Sequence, residues 1–96
     1  MISESTIVAA VPRNVSVDLD NESVILDTAS GVYFGLDAVG QRIWELIAAP
    51  CPVRAVHAAL VDDYAVEHDR CLVDLLRFLE EMHAEGLIET HGSVEG

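Results

Sequence analysis

Four histidines, two cysteines and 17 acidic side chains are the groups able to do chemistry in this chain, and their spacing sets none of them to work together. His68 beside Asp69 and three residues before Cys71 is not a metal-ligand spacing, His57, His83 and His91 stand apart, and Cys51 and Cys71 lie too far apart in sequence for a zinc knuckle. A nucleophilic cysteine needs a base and an accessible, electropositive setting, whereas the helical phase of Cys71 turns it toward a core. The acid pairs Asp62-Asp63 and Glu80-Glu81 are adjacent, so on a helix they do not face each other and read as solvated faces. Asp74, inside an apolar helix, suits a bond to backbone or to Arg70 or Arg77, a structural role. The glycines form no phosphate-binding loop. The expectation is therefore no catalytic residue, no metal, no cofactor and no enzyme activity.

The elements that must position any site follow from periodicity. Residues 1–13 carry Thr6-Ile-Val-Ala-Ala-Val11 before Pro12 and read as an N-terminal arm or edge strand. Asn14 to Asp20 alternates, with Val15, Val17 and Leu19 on one face and Ser16, Asp18 and Asp20 on the other, the period of a half-buried strand. Asp20-Asn21-Glu22 supplies turn chemistry, Ser23 to Thr28 a second strand, and Gly31 a turn residue free to take positive φ. Val32 to Leu36 is the third strand. Asp37 sits where a helix N-cap belongs. The first helix spans about Ala38 to Ala49, with Val39, Ile43, Trp44 and Ile47 at the spacing of one buried face. Pro50-Cys-Pro52 breaks it, and a second helix covers about Val53 to Asp63. The third, about His68 to Glu85, carries Cys71, Leu75, Phe78, Leu79 and Met82 on one face, and Gly86 ends it. Leu72, Val73 and Leu76 form a second apolar stripe. It either lines a groove between this helix and the third strand or packs on the other helices. Residues 90–96 are polar and expected to fray.

Ninety-six residues make one domain, here with 14–89 as its folded body. The fold class is α+β: a three-stranded antiparallel sheet followed by three helices, in winged helix-turn-helix-like order. The acidic residues face five arginines and no lysine, a net charge of −12. Such a chain repels polyanions and lacks the clustered cations that phosphate contacts need. A basic peptide suits it better. The first residues lack a signal peptide's charged and apolar regions, no apolar run reaches the ~20 residues of a membrane span, and two cysteines make no disulfide framework. These features point to the cytoplasm. An available sheet edge beside helices is a surface that accepts a peptide as an added strand.

Val24-Ile-Leu-Asp, then Gly31-Val-Tyr-Phe-Gly-Leu-Asp37, then Asp74-Leu-Leu-Arg-Phe-Leu79 with Met82 and Gly86-Leu-Ile-Glu89 resemble the PqqD-like domains. These are the precursor-recognition elements of ribosomally made, post-translationally modified peptides. The resemblance covers residues 15–89. The Gly-x-Tyr-x-x-Leu pattern with Trp44 is most similar to the stand-alone type of lasso-peptide pathways. It implies a non-catalytic binder that holds a leader segment as a strand added to the third strand and packed on the third helix, for presentation to a leader peptidase and a cyclase. Carried over, the backbone of Val32, Tyr33 and Phe34 pairs with the leader, Leu72, Val73 and Leu76 touch its apolar side chains, and Asp69 meets a basic residue. Asp37 stands where the family more often has Asn, and Pro52 where a capping hydroxyl is common. The alternative is a winged-helix DNA-binding regulator or another protein–protein adaptor. Against DNA, the third helix offers only Arg70 and Arg77 beside five acids.

Overall fold

A computed structural model describes residues 2–12, 14–19, 22–31 and 33–93. Its elements run β1 (Thr6–Ala10), β2 (Asn14–Leu19), β3 (Glu22–Asp27), β4 (Tyr33–Leu36), α1 (Ala38–Leu46), β5 (Cys51–Pro52), α2 (Val53–Tyr64), α3 (His68–Ala84) and β6 (Ile88–Ser93). The α+β architecture holds: β2, β3 and β4 form the antiparallel sheet expected ahead of the three helices. A second antiparallel sheet, ordered β5-β1-β6, accompanies it.

That second sheet corrects two expectations. β1, expected as an arm or edge strand, is the centre of its sheet, with Val8 opposite Cys51 on one side and Thr90 on the other. Residues 90–93, expected to fray, pair with β1 instead. The backbone supplies the reason. The Ala10 N–H donates to the Ile47 carbonyl at 2.8 Å and the Val11 N–H to the Leu87 carbonyl at 3.0 Å. β1 thus bonds to the segments leaving α1 and α3, and Val8 is fully buried between them. The first helix also stops earlier than its pattern suggests, at Leu46 with Ile47 as C-cap, because the chain must straighten to present Cys51 to β1.

Local chemistry fixes the joints around β4. Gly31 has φ 77°, and its N–H donates to the Asp27 carbonyl at 2.8 Å. That conformation is open to glycine at no steric cost. The Asp37 side chain accepts the Gly40 N–H at 2.7 Å and caps α1. At the end of α3 the Gly86 N–H reaches the His83 carbonyl and the Leu87 N–H the Met82 carbonyl, at 3.1 and 3.0 Å. This is a Schellman closure, and it turns Leu87 and Ile88 into the core.

The core gathers Val8, Ile25, Leu36, Ile43, Trp44, Ile47, Val53, Val56, Leu60, Leu75, Leu79 and Met82. The first sheet meets it with the face carrying Ile25 and Leu36, so the register places Val15, Leu26 and Tyr33 together on the outward face. Val15 is 47% exposed. The valines of β2 therefore point away from the core, the reverse of what their alternation implies, because register rather than apolarity decides which face is inward.

Candidate peptide-binding groove

β4 pairs with β3 on one side only, and its other edge is open among the described residues. Alongside runs a groove of about 560 Å³. Its strand wall is Phe34 and Gly35, its helical wall Cys71, Asp74, Phe78 and Glu81 of α3. Val39, Gly40 and Ile43 of α1 and Leu60 and Tyr64 of α2 close its end. Phe34 and Phe78 meet edge to face with ring centroids 6.3 Å apart, the arrangement that aromatic quadrupoles favour. Gly40 is closely packed here: a Cβ on it would stand 3.2–3.3 Å from Asp37 Oδ1, Leu36 Cδ2 and Phe78 Cζ, so these side chains would have to give by a few tenths of an ångström. A smaller cavity of about 80 Å³ continues past Phe34, between Asp27, Ser30, Glu85 and Leu87.

The residues expected at the site scatter. Phe34 lies in the groove. Tyr33, 71% exposed, occupies the opposite face of β4, and Val32 lies outside the described residues. Leu72, Val73 and Leu76 do not line the groove. Leu76 packs against the core, Leu72 is half-buried and Val73 is 54% exposed. Asp69 projects into solvent, with its carboxylate 3.3 Å from His68 Nδ1. The physical reason is helical phase. The stripe of Leu75, Leu79 and Met82 is the core seam, Leu72 and Leu76 flank it on one side, and Cys71, Asp74, Phe78 and Glu81 flank it on the groove side.

Val39, expected in the core, is a groove residue instead, 41% exposed, and half-buried Cys71 packs against the core as expected while also lining the groove. Burial, and secondarily the neighbouring Asp74, push the Cys71 thiol up from its ordinary range. Burial alone does the same for Cys51. Asp74 also stands 3.7 Å from Arg70 Nε, four residues back on the helix. Buried His57 is structural: its Nε2 lies 2.8 Å from the His68 carbonyl and joins α2 to the start of α3. No group of three or more possible metal ligands occurs among the described residues. No helix there is long and apolar enough to cross a membrane.

The family model for coenzyme PQQ synthesis protein D (PqqD) matches residues 22–88, from β3 to the start of β6. The chain belongs to the PqqD family. Within the PqqD fold, a solved chain similar to this one is TbiB1 in complex with the TbiA(beta) leader peptide. It is 34% identical, superposes with a TM-score of 0.75, and the match covers 84% of this chain and 94% of that one. No curated protein matches the chain in sequence.

Proposed function

We propose that this PqqD-family protein is a non-catalytic carrier for the leader segment of a ribosomally made precursor peptide of the lasso-peptide kind. The leader adds to the open edge of β4 as an antiparallel strand and lays side chains into the groove against α3. The carrier works in the cytoplasm and hands the precursor to a leader peptidase and a cyclase. The observation that carries this reading is a strand edge, unpaired among the described residues, running beside a largely apolar groove, in a chain 34% identical to one solved with a leader peptide bound. Backbone bonds give such an added strand its affinity and the side-chain pockets its selectivity.

The groove supports a different contact set from the one the resemblance implies. Tyr33 and Phe34 contribute backbone, Phe34 and Phe78 the apolar contact, and Asp74 rather than Asp69 a charge. The scheme implied by the resemblance adds the backbone of Val32 to these contacts. A DNA-binding role is not favoured: the two arginines of α3 sit among Asp69, Asp74, Glu80 and Glu81 on a chain of net charge −12, and phosphate contacts need the opposite balance.

Fluorescence-anisotropy titration with the leader encoded beside the gene, against its scramble, tests the reading. Saturable binding below about 10 μM, roughly 7 kcal/mol, is expected for the leader alone. Proline substitution then locates it. Successive residues of an antiparallel strand aim their N–H groups to opposite sides. Of Tyr33→Pro and Phe34→Pro, one breaks a bond to β3 and the other strips the open edge. The variant that keeps native melting should bind about tenfold more weakly, or about 1.4 kcal/mol. Wild-type affinity in that variant sinks strand addition.

A further inference from the structure

Carboxylates outnumber cations on the walls of the groove. Asp37 reaches it from the joint between β4 and α1, and Asp74 and Glu81 from α3. Past Phe34, Asp27 and Glu85 stand at the smaller cavity. Phe34 lines both spaces, and the larger of them, walled by α3, is the trench. Against these carboxylates, Arg70 is the single cation among the described lining residues, and it leans toward Asp74 at 3.7 Å. Arg42 is held outside the trench by Asp63 at 2.9 Å, and Arg77 lines neither space. The rest of the lining is largely apolar, with Phe34, Ile43, Leu60 and Phe78. Apolar lining interspersed with carboxylates fits a segment with an apolar side chain between cationic ones, and it repels an acidic segment. Like charges facing each other across an interface are what exclude wrong partners.

Resting on the leader-carrier reading, we infer that the trench selects its cargo by charge. The bound segment carries lysine or arginine beside its apolar anchor, and the Asp74 and Glu81 carboxylates are the residues that read it. Each contact is partly solvated, so each contributes modestly and weakens with salt. Asp37 also caps α1, so its removal would mix a folding effect with a binding one. Asp74 and Glu81 are exposed helix positions, and their amides keep the shape.

Random peptides displayed on yeast and selected against the wild-type protein form the test, repeated with the Asp74→Asn/Glu81→Gln variant. The wild type should enrich peptides with a lysine or arginine near an apolar residue. The variant should keep the apolar preference and lose the cationic one. The best wild-type peptide should bind the variant about 3- to 20-fold more weakly at low salt, with the gap closing as salt rises. Neutral or acidic peptides enriched equally by both proteins leave peptide recognition standing and overturn the charge selection. No enriched peptide at all overturns the carrier reading, and this inference with it. A concentration-dependent dimer that no peptide dissociates means a second copy fills the trench, and overturns the inference as well.

Discussion

Cys71 is the residue that reports on the groove most directly. It lines the wall that a bound peptide would cover, while Cys51 sits apart on β5 with its thiol 3.5 Å from the Leu46 carbonyl. Bound leader should therefore slow iodoacetamide alkylation of Cys71 and leave Cys51 unchanged, read by peptide mass spectrometry. Equal rates with and without leader would place the peptide elsewhere. Both thiols ionise at higher pH in the folded chain than in the unfolded one. Stability from this source is thus fully present below the unfolded thiol range, about pH 8.5, and is lost as pH rises through the folded values. Residue types alone did not reveal this role. A cysteine at the phase of Leu75 and Met82 reads as core, and only the packing of β4 against α3 shows which flank stays open.

At the scale of the element, α3 separates its duties by face. Leu76 packs against the core away from the groove, whereas Phe78 packs against the core and also lines the groove. Leu76→Asp should lower stability by about 2–4 kcal/mol, because it buries part of an unpaired charge, seen as a shifted urea midpoint. Phe78→Ala should cost leader affinity severalfold in anisotropy while the chain stays folded. If Leu76→Asp melts like the wild type, the core assignment is wrong. The third helix, its glycine stop and the β2–β3–β4 order were all legible in the sequence, since each has a strong period or a turn residue. The groove flank was not, because its apolar members are interleaved with Arg70, Asp74 and Glu81, so the stripe looks polar. The second sheet was equally hidden. β5 is two residues, Cys51 and Pro52, directly after Pro50, and β6 reads Ile88-Glu-Thr-His-Gly-Ser93, with no apolar alternation to mark a strand.

For the whole molecule, two sheets of different reach share one core. The first is a meander of neighbours in sequence. The second joins residues near Val8 to residues near Thr90. Contacts between distant parts of the chain slow folding, so the meander should form early and the β1–β6 pairing late. In chevron measurements Val8→Ala should mainly speed unfolding, while Ile25→Val should also slow folding; φ values in the reverse order would reject this sequence of events.

The open edge of β4 acquires a further meaning from that order. During synthesis the meander leaves the ribosome well before β6 can reach β1. The strand proposed to receive cargo is then exposed on a half-made protein, where an unpaired edge is a template for other nascent chains. A precursor peptide made nearby would shield that edge during the birth of its own carrier, acting as a folding partner before it is a passenger.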